Sequence, residues 1–459
     1  MQPEKSKKLF GTDGVRGKAG QFPLDAVTVR VIGASLSAHL AEQHPGRAPR
    51  IVIGRDTRES GPAIERDLTI GAKSLGAEVE SAGVITTPGV AFLTRNLGAD
   101  AGVVISASHN PYEDNGIKIF APSGKKLDDP TERQIEKDVA EDRFRDLGLR
   151  QIEEKEAKPR DLELHDRYLA FLQHEVAHDL SLAALKIVID CANGASFELA
   201  PLLFEKLGAR VIAISNQPDG RNINLNCGSL HIEGLQERVL TERADLGIAF
   251  DGDADRALFV DADGMFVDGD ATMWVLANYM QSRGELENDL VVSTVMTNLG
   301  LEVALRSRHI KLMRTDVGDK YVLEELLKSN AALGGEQSGH IIFPKISLAG
   351  DGMITAINLL RVMNHENKRL GQLTEGFKRF PQILVNVRVR EKIPFEELPS
   401  VQELAHEIER ALGDRGRLLL RYSGTESLAR VMIEGEDEGD VTTRAQELAE
   451  VIKGEIGED

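Results

Sequence analysis

Three short apolar runs rich in β-branched residues punctuate the chain: RIVIGRD from Arg50, KIVIDCA from Lys186 and DLVVSTVM from Asp289. Each stops at polar or turn-forming residues and gives way to a helical stretch. PAIERDLTIGAKSLGA, which starts at Pro62, carries apolar residues at i, i+3 and i+4 spacing. That alternation predicts repeated α/β units with central sheets whose strand ends display the working groups. At 459 residues the chain is too long for one core. A domain size of about 100–150 residues implies three or four domains. The charged stretch EEKEAKPRDLE (Glu153 to Glu163) reads as a linker, a second boundary falls near Asp255, and a third lies around Gly371 to Phe380. Beyond it, strand PQILVNVRV, helix VQELAHEIERAL and the strands around RYSGTE form a smaller α+β unit. The expected domains are 1–155, 156–255, 256–372 and 373–459.

Four motifs carry chemistry. In GVVISASHNP the buried strand from Val103 to Ile105 ends abruptly, so Ser108 sits where a strand opens into a loop, with His109 beside it and Pro111 barring regular structure. A lone Ser-His pair is weak evidence, because turn serines mostly cap backbone amides. In DGDADR, three carboxylates at alternate positions (Asp251, Asp253, Asp255) leave the end of a strand together, and Gly252 lets the turn tighten. Such carboxylates repel one another, so a divalent cation is the natural neutraliser, and hard oxygen ligands suit Mg²⁺. A calcium loop starting at Asp251 would need Gly at its sixth place and Glu at its twelfth. Arg256 and Ala262 stand there, and that reading fails. In RYSGTE, between two strand-like runs, Arg421 and Arg430 offer planar forks, Ser423 and Thr425 offer hydroxyls, and Gly424 frees backbone N–H groups to face an anion. In GGEQSGH, glycines surround Glu336, Ser338 and His340, which an extended backbone would point to one side, as a reader of hydroxyl-rich ligands.

The ordered set FGTDGVRG (from Phe10), SASHNP, DGDADR, GGEQSGH and RYSGTE resembles the α-D-phosphohexomutase superfamily over essentially the whole chain. The wording of FGTDGVRG and GGEQSGH points to its hexosamine branch. The resemblance implies three similar α/β domains with mixed sheets plus a smaller C-terminal α+β domain, arranged around a central cleft. It implies that Ser108 is a phosphoserine, and that Asp251, Asp253 and Asp255 hold one Mg²⁺ per subunit with an oxygen of that phosphate. Arg16, Lys118 and His340 would surround the transferring group, with Lys118 and His340 as alternative proton carriers, and His109 would stand beside the nucleophile. Glu336 and Ser338 would read sugar hydroxyls. Arg421, Ser423, Gly424, Thr425 and Arg430 would grip the phosphate that is not reacting. Tyr422 and Ser427 stand where this superfamily usually has prolines, a departure that leaves the clamp's arginines and hydroxyls in place.

The implied reaction interconverts glucosamine 6-phosphate and glucosamine 1-phosphate through a bisphosphate, ahead of UDP-N-acetylglucosamine synthesis. A phosphomannomutase/phosphoglucomutase of the same fold is the alternative, and a non-catalytic sugar-phosphate sensor is a third reading that Ser108 beside an intact aspartate set opposes. The physics of phosphoryl transfer agrees, since it needs in-line positioning and charge neutralisation more than covalent chemistry.

A net charge of −19 argues against nucleic acid and against an anionic membrane surface. Two cysteines, Cys191 and Cys227, make no disulfide framework and read as buried small hydrophobes in a reducing cytoplasm. The start MQPEKSKKLF shows neither signal peptide nor anchor, and no apolar run approaches the ~20 residues of a spanning helix. A homodimer is the assembly the resemblance suggests. His39, His44, His165, His174 and His178 read as surface or packing residues, Trp274 as core, and EGEDEGD (434–440) as solvated.

Overall fold

Every apolar run singled out above is a strand: Arg50–Arg55, Ala101–Ile105, Lys186–Asp190 and Leu290–Thr294. The computed structural model describes residues 9–11, 13–144, 146, 161–423 and 427–458. It forms two compact units, one running through Val295 and including Met313–Thr374, the other made of Met296–Leu312 and the chain from Glu375 onward.

The first unit contains α/β layers built on mixed sheets. The N-terminal sheet has six strands in the order Phe10–Gly11, Gly14–Lys18, Asp114–Phe120, Ala101–Ile105, Arg50–Arg55, Glu78–Val84. Its last three strands are parallel, while Asp114–Phe120 returns antiparallel onto Ala101–Ile105 and pairs antiparallel with Gly14–Lys18. The core beneath it joins Val29, Ile32 and Leu36 of helix Ala26–Gln43 to Ile51, Ile53 and Val103. A five-stranded sheet follows, ordered Phe266–Val267, Ala257–Asp261, Leu246–Phe250, Lys186–Asp190, Arg210–Ile214. A third sheet is ordered Lys311–Thr315, Leu290–Thr294, Leu333–Gly335, Ile341–Ile342. The fourth, in the second unit, is an all-antiparallel sheet of Gln382–Arg388, Leu428–Gly435 and Gly416–Tyr422. Helices Pro399–Leu412 and Glu438–Ile456 pack Val401, Ile408, Leu448 and Ile452 against Val387, Val431 and Ile433. Three α/β/α layers and an antiparallel α+β domain thus match the expected fold class.

The periodic helices form where the sequence predicts them. PAIERDLTIGAKS lies in Gly61–Ser74, and Trp274 is buried in Gly269–Ser282. His165 is a satisfied core histidine whose Nε2 lies 3.0 Å from the Ala82 carbonyl oxygen. The charged stretch expected as a linker lies outside the described residues up to Arg160. From there Asp161 caps helix Leu162–Phe171 by accepting from the Glu163 and Leu164 amides. The acidic run 434–440 is not uniformly solvated, contrary to expectation. Glu434 is wholly buried and accepts from Arg417 at 2.6 and 2.9 Å, because it stands directly across the paired strands from Arg417, on the sheet face away from Val431 and Ile433. Asp437 then caps Glu438–Ile456. Among the described residues, no helix is long and apolar enough to cross a membrane.

Both cysteines are free and buried. Burial, reinforced by the Asp190 carboxyl, pushes the Cys227 thiol up to about 11 and Cys191 higher still. The thiolate is the reactive species, so raising the pKa lowers reactivity throughout the neutral range. Iodoacetamide at about pH 8 is expected to label neither thiol in the folded protein and both in urea. Native labelling of Cys227 at the rate of a free cysteine would contradict this burial.

Candidate active site

Three adjacent strands of the first sheet supply groups to one site. Ala101–Ile105 delivers the Ser108 loop, Asp114–Phe120 delivers Lys118, and Gly14–Lys18 delivers Arg16. Ser108 adopts a left-handed backbone (φ 52°), uncommon outside glycine, and is held there by a dense network. Its amide donates to Ser106 Oγ at 2.9 Å, and Ser106 Oγ donates to Asp56 at 2.7 Å. Its carbonyl accepts from Arg58 at 3.0 Å and from Asn224 of the second sheet's domain at 2.9 Å. Arg58, fully buried against Asp56, also donates to the carbonyls of Asn110, Pro111 and Asp114, so one guanidinium clamps the whole loop.

The acidic turn meets this loop from the second sheet. Strand Leu246–Phe250 ends at Phe250 and the chain turns at once, with Ala254 N donating to Asp251 O and Ala254 in the left-handed region. Gly252 is required sterically, since a Cβ there would sit 2.4 Å from the Ser108 carbonyl oxygen. Ser108 Oγ donates to Asp251 Oδ2 at 2.5 Å. Ligand oxygens of Asp251, Asp253 and Asp255 all lie within 4.8 Å of one another, and all three residues are buried. Lys118 Nζ lies 2.9 Å from Asp253 and 3.5 Å from Asp255. Thr87, opening helix Thr87–Asn96 behind the Thr86 cap, donates its amide to the Asp253 carbonyl and its hydroxyl to Asp253 Oδ2 at 2.6 Å. The Oδ1 atoms of Asp253 and Asp255 are buried and accept no hydrogen bond. Buried acceptors without donors are costly. Three convergent hard oxygens with two unsatisfied atoms therefore fit a divalent cation of the Mg²⁺ kind.

Electrostatics follow from that packing. Burial, and then the charges of Asp255 and Asp253, push the Asp251 carboxyl well above the ordinary carboxylate range. Burial acts the same way on Asp255, but Lys118 and His340 outweigh it and hold that carboxyl well below. Burial alone would lower Lys118, yet Asp13, Asp253 and Asp255 raise it well above normal. His340 is likewise raised to about 9, because Asp255 and Asp319 overcome its burial. His109 goes the other way. Burial, Arg256 and Arg16 bring it down to about 4, leaving a neutral imidazole with Nδ1 3.2 Å from Ser108 Oγ. Arg16 donates to the Ala107 carbonyl at 2.9 Å and pairs with Asp13.

The GGEQSGH segment is a turn rather than the extended run that alternation suggested. Leu333–Gly335 pairs antiparallel with Ile341–Ile342, and the Glu336 carbonyl accepts from Gly339 N at 3.0 Å. The tight return still brings Ser338 Oγ within 3.3 Å of Glu336 Oε2 and seats His340 Nδ1 3.5 Å from Asp255. Ser108, His109, Arg16, Lys118, His340 and the three aspartates thus converge in the first unit.

In the second unit, Arg421 and Arg430 stand directly opposite each other across paired strands. Arg430 Nη2 lies 3.4 Å from Ser423 Oγ, and Lys392 Nζ donates to the Ser423 carbonyl at 2.6 Å. Like charges directly opposite are unfavourable, and an anion between them would relieve that repulsion. Gly424 and Thr425 lie outside the described residues. Sequence reasoning passed over Arg58, Asp56, Asn224, Thr87, Lys126, Asp319 and Lys392. Asp13 was passed over as well, although it stands within FGTDGVRG, whereas the others carry no local signature.

Arg58→Met is expected to leave Asp56 buried and unpaired, costing about 3–5 kcal/mol in a urea melt. A loss below about 1 kcal/mol would mean the buried pair does not hold the Ser108 loop.

The chain matches the family models for phosphoglucomutase/phosphomannomutase alpha/beta/alpha domain I over residues 7–146, domain II over 166–264, domain III over 268–380 and the C-terminal domain over 384–451. It is 49% identical over 453 residues to a phosphoglucosamine mutase of Solibacter usitatus, covering 99% of this chain and 100% of that one. Its fold is similar to a phosphoglucomutase/phosphomannomutase family protein of Burkholderia thailandensis, with TM-score 0.78, 23% identity and 97% of each chain covered. It is also similar in fold to an Aspergillus fumigatus N-acetylphosphoglucosamine mutase in complex with GlcNAc-6P and magnesium, with TM-score 0.65, 18% identity, 97% of this chain and 95% of that one covered. Four consecutive domain matches and near-half identity along almost its entire length establish that the chain belongs to the phosphoglucomutase/phosphomannomutase family.

Proposed function

We propose that the chain is a phosphoglucosamine mutase, interconverting glucosamine 6-phosphate and glucosamine 1-phosphate through a phosphoserine at Ser108. The observation that carries the reading is the Ser108 hydroxyl, 2.5 Å from a carboxylate in a buried triple-aspartate cage and backed by Lys118. A serine hydroxyl is a weak nucleophile, and relaying the group through it divides one difficult displacement into two easier ones.

In the first half-reaction the bond from Ser108 Oγ to phosphorus breaks as a sugar hydroxyl oxygen bonds to phosphorus. Lys118 or His340, protonated at rest, gives its proton to Ser108 Oγ as it leaves and takes up the proton of that hydroxyl, so the carrier ends with the charge it began with. The bisphosphate then presents its other phosphate, and the reverse displacement restores phosphoserine. Arg16 and Lys118 supply fixed positive charge to the equatorial oxygens. Asp251, Asp253 and Asp255 would hold one Mg²⁺ with a phosphate oxygen on Ser108, and the bound cation neutralises charge on the moving group. His109, neutral at working pH, stands beside the Ser108 hydroxyl as a hydrogen-bond partner. Glu336 and Ser338 read the sugar hydroxyls. Arg421, Ser423 and Arg430, with Gly424 and Thr425, grip the distal phosphate, and the near-symmetric pair of arginines suits a sugar that binds in two orientations. With the second domain carried past Asp255 to keep Ala257–Asp261 and Phe266–Val267 in its sheet, each of the four domains holds one of the four motifs. A cytoplasmic setting and a homodimer complete the reading.

Ser108→Ala is expected to lack the phosphate mass present on the parent and to lose more than about a thousandfold in turnover. Phosphate found only elsewhere, or a fully active variant, defeats the mechanism. Asp253→Asn is expected to weaken Mg²⁺ binding by calorimetry at least about tenfold while melting near the parent temperature. Assayed side by side with glucose and mannose phosphates, glucosamine phosphate should be turned over best. Equal turnover would favour the phosphomannomutase/phosphoglucomutase alternative.

A further inference from the structure

A cavity of about 490 Å³ opens beside the aspartate cage, with Lys118, Lys126, Asp255, Asp319 and His340 in its wall. Lys126 is the odd member, since no step above uses it. Its backbone forms an antiparallel bridge to Phe120, so its ammonium is anchored to the strand that carries Lys118. Nζ lies 2.6 Å from Asp13 Oδ1 and 2.7 and 2.8 Å from the two oxygens of Asp319. Each of these carboxylates turns toward a different group of the site. Asp13 Oδ2 is 3.1 Å from Lys118 Nζ, and Asp319 Oδ2 is 3.8 Å from His340 Nε2. Asp13 and Lys118 come from the first α/β layer, Asp319 and His340 from the third.

We propose that Lys126 is a positioning residue, whose single ammonium holds Asp13 against Lys118 and Asp319 just short of His340, keeping the two proton carriers of different domains in register. His340 Nε2 is buried and makes no hydrogen bond. With Lys126 in place, Asp319 is held by a cation at hydrogen-bond distance and leaves that nitrogen free to face the cavity. Without it, the nearest cationic partner for Asp319 is the His340 ring, and closing the remaining gap would turn the imidazole away. A displacement of about 1 Å at a reacting group is enough to cost about a hundredfold in rate. The neighbouring pair of Lys320 with Asp129 joins the same two domains but touches neither carrier.

The kinetic test rests on the mutase reading. With phosphoserine content measured for each protein, Lys126→Met is expected to lower kcat about 10- to 100-fold with KM changed less than about threefold. Lys126→Arg, which keeps a cation, is expected to recover most of it, and Lys320→Ala to match the parent. Unchanged kcat in Lys126→Met, or a loss confined to KM or to the folded fraction in a melt, overturns the proposal. A crystal structure of Lys126→Met decides it independently of any assay. Asp319 should move within hydrogen-bond reach of His340 Nε2, and unmoved Asp319 and His340 side chains overturn the inference. Should the parent turn over no hexose phosphate, the mutase reading falls and the crystallographic comparison alone judges Lys126.

Discussion

The structure turns on the burial of three mutually repelling carboxylates against a serine hydroxyl and one lysine. Asp251, Asp253 and Asp255 are buried together, with Lys118, His340 and Arg256 set against their charge. Their convergent oxygens still fit a divalent cation beside the serine. Everything around it keeps that frustrated cluster in one geometry. Thr87 pins Asp253 from a helix start, the Asp251 turn is tight because Gly252 has no side chain, and Arg58 holds the Ser108 loop through four carbonyls.

The electrostatic consequence is a division of labour between neighbouring groups. Lys118 and His340, each facing aspartates, keep their protons, while His109, facing arginines, loses its own. Two imidazoles of one site therefore differ in charge for reasons visible in their surroundings. That separation suits a reaction in which one oxygen must give up a proton as another takes one. The opposed arginines of the second unit solve a separate problem. Arg421 and Arg430 hold positive charge at a strand end, where an anion can relieve their repulsion.

Much of the site was legible because its groups cluster in short stretches. DGDADR places three carboxylates within five residues, and SASHNP breaks a buried strand at the serine. Other parts were illegible for a physical reason. Arg58 reads as an ordinary charged residue after a strand, and nothing local shows that it will be wholly buried against Asp56. Lys126 sits in a lysine pair that looks solvated, yet its ammonium lies between carboxylates 13 and 319. Glu434 misled for the converse reason. It opens an acidic run that composition reads as solvated, but the register of the paired strands sets it directly opposite Arg417, where it is buried.

Local chemistry, written in consecutive residues, set the strand ends, the helix periods, the acidic turn and the nucleophile, since hydrogen-bonding pattern and side-chain type act over a few positions. Partnership across long separations came from packing. The Ser108–Asp251 hydrogen bond joins residues 143 apart, and the Lys126–Asp319 contact residues 193 apart. Which carboxylate meets which cation, and hence which groups carry protons, depends on burial and on distances of a few ångströms between separate sheets, and neither is encoded in any short stretch of chain.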